Sequence, residues 1–274
     1  MPVLRFAPSP NGLLHLGHAF SALFTWRAAA RLGGTALLRI EDIDPERCKP
    51  EFDRALREDL AWLGLDWPEP VLRQSQRMDA YRTAASQLGD LLYPCDCTRT
   101  EIAARAAGAD PDGAPLYDGR CRTHGPRGNR PAQMRLDMRR ALARSGKLHI
   151  ASLPVDGIEL EPGAMEEREA APERWGDAVL VRKDTPTSYH LSVVVDDAAQ
   201  AVTLVTRGTD LEAATDLHVL LQALLEMPSP IYAHHRLIRD EARHKLSKSK
   251  GAQSLRDLRA AGWTPADVRR TLGF

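Results

Sequence analysis

Pro8-Ser9-Pro10-Asn11-Gly12-Leu13-Leu14-His15-Leu16-Gly17-His18 is the stretch on which the fold turns. It begins as a turn, because proline and glycine punctuate regular structure and two prolines flank Ser9. Residues 3–7 before it form a short apolar run. After it, residues 15–32 carry a helical pattern, with Phe20, Leu23 and Phe24 on one face and Gly33-Gly34 as the stop. Strand, glycine-containing turn and helix are the opening of a doubly wound α/β unit. The same turn places His15 and His18 three apart on the first helical turn, where backbone N–H groups and the helix dipole favour an anion. Imidazole N–H groups there can donate to phosphate oxygens as charge builds. Gly17 between them removes a side chain and admits a flat base or ribose to the backbone. A His-x-x-His pair is equally compatible with a structural or metal-binding role.

Working outward, Thr35–Ile40 reads as a buried strand that ends in Glu41-Asp42-Ile43-Asp44, and Phe52, Leu56, Leu60 and Leu63 follow at helical spacing. Further on, residues 192–195 and 202–205 read as strands of a resuming sheet, with Leu217, Leu220, Leu221 and Leu224 as a helix face behind them. The stretch between differs in character. Residues 88–188 hold Cys95, Cys97 and Cys121, many glycines and prolines, and segregated charge. Arg120, Arg122, Arg127, Arg130, Arg135, Arg139 and Arg140 stand close together, and seven acids follow between Asp156 and Glu173. The expected organisation is a first catalytic half over residues 1–87, an insertion over 88–188, a second half over 189–243, and a loop with a short helical tail over 244–274.

A Cys-x-Cys pair is too close for an unstrained disulfide, and a chain of 274 residues has room for a core without one. The three clustered cysteines read as metal ligands, and Cys48 as an ordinary thiol. A tetrahedral structural site needs a fourth ligand. Tyr117 and His124 both lie near Cys121, and imidazole is the commoner zinc ligand. The chain carries 37 basic and 37 acidic residues, which argues against non-specific coating of nucleic acid. It has no apolar run long enough to span a membrane, and residues 1–6 do not read as a signal peptide, so the expected location is the cytoplasm.

A second motif stands far from the first: His244-Lys245-Leu246-Ser247-Lys248-Ser249-Lys250. Lysines spaced by serines on a loop suit a leaving pyrophosphate, whose negative charge grows during the reaction. A solvated loop is the plainer reading of that run taken alone.

Together the two motifs resemble the HIGH and KMSKS signatures of class I aminoacyl-tRNA synthetases. Arg5-Phe6-Ala7-Pro8-Ser9-Pro10, Arg39-Ile40-Glu41-Asp42-Ile43-Asp44, Gly64-Leu65-Asp66-Trp67 and Arg207-Gly208-Thr209-Asp210-Leu211 resemble the glutamyl branch, in order along most of the chain. The resemblance implies a Rossmann-type parallel sheet with an inserted zinc-containing α+β domain. It also implies ATP held by Gly12, His15, Gly17, His18, Lys245 and Lys248, with His15, His18 and Lys248 stabilising charge on the phosphates and Mg²⁺ accompanying ATP. L-glutamate would lie among Arg5, Phe6, Ala7, Pro8, Ser9, Glu41, Tyr189 and Arg207. Glu41 would receive the α-ammonium and Arg207 the side-chain carboxylate, since a planar guanidinium pairs with carboxylates in bidentate fashion. A surface ion pair between Arg39 and Glu41, and a core role for Tyr189, are the alternatives.

The resemblance is sharpest to the glutamyl-queuosine form, whose pattern of Cys-x-Cys followed by Tyr-x-x-x-Cys is matched by Cys95, Cys97, Tyr117 and Cys121. On that pattern Tyr117 is the fourth ligand of one structural zinc. Few residues follow Lys250, so no anticodon-binding domain is expected. That family activates glutamate without tRNA and esterifies it to the queuosine base in the anticodon of tRNA(Asp); a monomer is expected, with no membrane partner. The arginines of the insertion are candidate RNA phosphate contacts, or else a solvated face balanced by the acids after Asp156. Charging of a tRNA 3′ end and an idle binding paralogue are the rival functions.

Overall fold

A computed structural model describes residues 1–239 and 253–274. Strand β1 (Val3–Phe6) leads through the Pro8–Gly12 turn into helix α1 (Leu16–Arg31), and β2 (Thr35–Ile40) returns beside β1. Phe20, Leu23 and Phe24 are buried on the sheet-facing side of α1, as their spacing requires. The return is tight. A side chain at Gly34 would meet the Pro2 carbonyl at 2.4 Å, so glycine lets the chain enter β2 beside the start of β1. β1 and β2 pair in parallel from Val3–Thr35 to Phe6–Leu38. After α2 (Pro50–Trp62), β3 (Leu72–Arg73) adds to the far edge of β2, also in parallel.

Helix α3 (Met78–Leu88) leads into a separate antiparallel sheet. It is built from β4 (Leu92–Cys95), β5 (Gln133–Leu136) and, much later, β10 (Val179–Val181), in the order β10-β5-β4. Short helices α4 (Arg99–Ala103) and α5 (Arg120–His124) carry the cysteine region, and α6 (Met138–Ser145) covers the core side. Residues within the 88–188 stretch also build part of another sheet. β6 (His149–Ser152) lies parallel to a later strand, and β9 (Glu166–Glu169) runs antiparallel to β6 as an exposed, charged edge. A two-stranded hairpin, β7 (Val155–Asp156) and β8 (Glu159–Leu160), lies between them.

Residues 192–195, expected as a strand, lie inside helix α7 (Tyr189–Ala199). Every residue from Leu191 to Asp197 is buried, so the apolar run has no exposed face to show a helical period. A short, fully buried run of this kind is ambiguous between strand and helix. The sheet resumes at β11 (Leu204–Gly208), which overlaps the second expected strand, and α8 (Ala214–Leu224) buries Leu217, Leu220 and Leu221 as its spacing predicts. β12 (Ile231–His235) pairs in parallel with β11 and with β6. The tail forms α9 (Leu255–Ala260) and α10 (Pro265–Leu272), both opened by capping boxes, with Leu255, Leu258, Val268 and Leu272 buried in the core around α1.

The decisive feature is the seam between β1 and β11. Thr203 N–H donates to the Val3 carbonyl at 2.9 Å, so the two strands start side by side. β2 lies on one side of β1 and β11 on the other, which is a topological switch point. In such sheets the crevice opens at the carboxyl ends of the strands. No described helix is long and apolar enough to cross a membrane.

Candidate active site

A cleft of about 800 Å³ opens at that seam. Arg5, Phe6, Ala7, Pro8, Ser9, His15, Gly17, His18, Glu41, Tyr189 and Arg207, all singled out from the sequence, line it together. Gly12 is not among the lining residues. Lys245 and Lys248 lie outside the described residues.

At the inner end the floor is a charge cluster. Asp197 on α7 accepts from Arg5 on β1 through Nε at 2.9 Å and Nη2 at 3.3 Å, and from Nη1 of Arg39 on β2 at 2.6 Å. Arg39 is fully buried and also reaches Gln200 at 3.1 Å and Glu41 at 3.4 Å. Arg39 and Glu41 do pair, but in the interior rather than on the surface. Burial opposes ionisation of Asp197, yet Arg5 and Arg39 outweigh it and hold its carboxyl below the usual range. Glu41 is the reverse case. Burial pushes its carboxyl above the usual range, and Arg39 and Arg5 offset that only in part. A cation arriving beside Glu41 would supply the missing counter-charge.

Arg207, at the end of β11, is buried without a carboxylate partner among the described residues. Its Nη1 meets Nδ1 of His218 at 3.1 Å, its Nη2 donates to Thr215 Oγ1 at 2.5 Å, and its Nε donates to His234 Nε2 at 3.4 Å. The guanidinium lies over the Tyr232 ring, 5.3 Å from its centre. Burial, followed by the field of Arg207, lowers His218 well below the ordinary imidazole value and takes His234 to about 3. These partners are neutral, so they hold the fork without cancelling its charge. Gly208 follows at the wall, where a side chain would strike Leu237 at 2.7 Å.

At the outer end, His15 is the N-cap of α1 rather than a residue of its first turn, and His18 is the third helical residue. His15 Nδ1 accepts from the Gly17 N–H at 3.1 Å, and His18 Nδ1 accepts from the His15 N–H at 3.2 Å. The two rings form a reciprocal capping box, with centres 3.9 Å apart. Because each Nδ1 accepts, each neutral ring carries its proton on Nε2. The backbone N–H groups of His15 and Gly17 are thus taken up by the rings themselves.

A second cluster sits at the small sheet. The sulfur atoms of Cys95, Cys97 and Cys121 lie within 4.8 Å of one another, and all three residues are buried. The Tyr117 hydroxyl is 3.8 Å from Cys97 Sγ and accepts from the Cys121 N–H at 2.7 Å. His124 is exposed and stands outside the group. Arg105 reaches Cys97 Sγ at 3.6 Å, Arg120 reaches Cys121 Sγ at 3.4 Å, and Arg135 stacks on the Tyr117 ring at 4.1 Å. Three soft sulfurs, a phenol oxygen and surrounding cations fit a tetrahedral, net-negative thiolate centre.

Residues 3–273 match the family of class I tRNA synthetases (E and Q), catalytic domain. A glutamyl-Q tRNA(Asp) synthetase from Rhodobacter capsulatus is 47% identical, and the match covers 99% of this chain and 100% of that protein. The chain belongs to the glutamyl-Q tRNA(Asp) synthetase branch of this family. A glutamate–tRNA ligase from Aquifex aeolicus is 38% identical over 95% of this chain and 54% of its own length. The crystal structure of a glutamate tRNA ligase from Elizabethkingia meningosepticum, in complex with its amino acid, superposes with a TM-score of 0.66 at 27% identity. That match covers 96% of this chain and 53% of the ligase.

In this member of the family, the arginines of the 88–188 stretch are not one unpaired face. Arg127 and Arg130 pair with Glu101, Arg122 with Asp177, and Arg140 with Asp90. The acids after Asp156 serve elsewhere: Glu159 binds Arg27 and Arg31 of α1, and Glu169 binds Lys147. Asp197, His218, Thr215 and His234 were not marked by sequence reasoning. Asp197 stands two residues beyond the run 192–195 that read as a strand, and nothing local marked it.

Proposed function

We propose that the chain activates L-glutamate with ATP in the absence of tRNA and transfers the glutamyl group to the queuosine base in the anticodon of tRNA(Asp). One observation carries the glutamate reading: a buried Arg207 with no acid partner among the described residues faces the same cleft as Glu41 and the histidine pair. At the inner end, Arg5, Arg39 and Arg207 face Asp197 and Glu41, which leaves one positive charge over. Zwitterionic glutamate carries one net negative charge and cancels it, whereas glutamine does not. Its ammonium would lie by Glu41 and its side-chain carboxylate on the Arg207 fork, with Arg5, Phe6, Ala7, Pro8, Ser9 and Tyr189 around it.

The α-carboxylate then attacks the α-phosphorus of ATP, forming glutamyl-adenylate and releasing pyrophosphate. The Nε2–H groups of His15 and His18 are assigned as phosphate donors, with Gly17 lining the cleft beside them. Lys245 and Lys248 are assigned to the same phosphates by motif. Mg²⁺ would accompany ATP, supplying positive charge to its phosphates. Alignment and electrostatics account for the catalysis, so no protein nucleophile is needed. Cys95, Cys97, Cys121 and Tyr117 would hold one structural zinc, which would tie α5 to β4 outside the residues that line the cleft. The substrates make the cytoplasm the place of action.

The test is pyrophosphate exchange with glutamate and no tRNA, followed by transfer of labelled glutamate to tRNA with and without queuosine. Exchange without tRNA and base-labile transfer only to queuosine-containing tRNA are expected. Transfer to the 3′ end of unmodified tRNA would instead make the chain a charging enzyme. Absence of exchange under all conditions would leave a binding protein.

A further inference from the structure

The fork of Arg207 is held by three acceptors from two elements: His218 and Thr215 on α8, and His234 on β12. An arginine has five donors and no acceptor, so it dictates the protons of whatever it touches. His218 Nδ1 must present its lone pair to Arg207, and its ring proton is therefore on Nε2. That nitrogen lies 3.2 Å from Nδ1 of His190 on α7, which must accept. His190 in turn is fixed by the edge of Trp175, ring centres 5.0 Å apart, and by Tyr189 of the cleft wall at 5.3 Å. The Thr215 hydroxyl accepts from Arg207 and has His234 Nε2 at 3.2 Å to take its own proton. Each link runs one way, outward from the guanidinium.

Two arrangements would spoil this. A carboxylate in place of His218, which is 2% exposed, would pair with Arg207 and remove the charge that a ligand must meet. The other tautomer of His218 would point an N–H at the guanidinium. The guanidinium, which can only donate, disfavours that tautomer, and His190 Nδ1 takes the proton left on the opposite side of the ring.

We infer that His218, backed by His190, is a positioning residue that keeps the Arg207 fork charged, lacking an acid partner among the described residues and aimed into the cleft, and so makes the site take a carboxylate side chain and refuse a carboxamide. This rests on the glutamate reading of the cleft and adds the residues that set its selectivity. Neither histidine touches the phosphate end, so the consequence is confined to the amino acid.

The experiment uses the full chain and the variants H218L, H218Q and H218E. Calorimetric binding of glutamate and glutamine is measured beside glutamate-dependent pyrophosphate exchange. H218L should raise the glutamate KM about 10-fold, as for loss of one charge-assisted hydrogen bond, with kcat and the ATP KM within about 2-fold. H218Q keeps an acceptor and should stay within about 3-fold of the wild type. H218E should abolish the preference for glutamate over glutamine. A wild-type glutamate KM in H218L overturns the inference, as does a parallel loss in kcat and ATP affinity, or H218Q as damaged as H218L. Should H218L not fold, H190L is the second variant, with the same direction and a smaller rise expected; no rise overturns the inference. Absent exchange by the wild type sinks the activity but leaves the calorimetric comparison to decide on His218. Absent glutamate binding by the wild type sinks both.

Discussion

Oδ1 of Asp197 lies 2.6 Å from Nη1 of Arg39, with both side chains out of reach of solvent. One partner comes from the helix that precedes the second half of the sheet and the other from the second strand of the first half. Arg5, on the first strand, shares the same carboxylate. The pair therefore joins the two halves of the nucleotide fold beneath the cleft. A buried ion pair is a weak source of net stability but a costly one to break, because the surviving charge stays buried.

D197N removes the charge and leaves, among the described residues, Glu41 as the salt-bridge partner of Arg39 and none for Arg5. We expect a loss of about 3–5 kcal/mol in urea unfolding, together with loss of glutamate-dependent exchange. Adding R39M to D197N should recover part of the stability and none of the activity, because the stranded cation is then gone. An unchanged urea midpoint in D197N would show that the pair is not the tie described.

Glu41 gives a pH dependence with a definite sign. Its carboxyl is raised in the free protein by burial, and an ammonium beside it favours the ionised form. Glutamate binding should therefore weaken as pH falls through the raised value of Glu41, above the normal range for a glutamate side chain. In a plot of the glutamate KM against pH, E41Q should bind about 10-fold or more weakly at neutral pH and lack that limb. A wild-type profile flat down to the ordinary carboxylate range would contradict the assignment.

The buried histidines make stability pH-dependent in the other sense. His190 falls from 6.5 to about 4 on folding, and His218 and His234 fall as well. The unfolded chain takes protons first, so their contribution is fully present above pH 6.5 and is lost as pH drops below it. The expected slope from His218 alone is about 1.4 kcal/mol per pH unit. H218Q should flatten the loss between pH 6.5 and pH 5, read from urea midpoints. Equal slopes in the two proteins would refute this.

The cysteine cluster predicts metal content. Elemental analysis of the purified chain should find about one zinc per molecule, falling below about half in C121S. Y117F should retain zinc more weakly under chelator challenge, whereas H124A should behave as the wild type. A larger effect of H124A than of Y117F would transfer the fourth ligand to the imidazole.

Periodicity and turn chemistry made the first half legible. The α1 face, the Gly33-Gly34 stop and the first two strands follow from local rules that the tertiary structure leaves intact. The run 192–195 was misread because it is buried on all sides, and a pattern that separates inside from outside has nothing to separate there. The arginines of the 88–188 stretch looked like one surface because sequence proximity does not say which acids will reach them. Their partners Asp90, Glu101 and Asp177 come from other elements.

By itself the sequence determined which chemical groups this protein owns: a histidine pair at a helix start, arginines and a glutamate next to strand ends, and three thiols spaced for a metal. Residue type and local spacing suffice for that. Only the tertiary structure decided which arginine keeps its charge for a ligand. Arg5 and Arg39 share Asp197 from a distant helix, with Glu41 beside Arg39, while Arg207 is met by histidines and a threonine. Availability of a charge depends on long-range partners, and those are settled when the sheet closes.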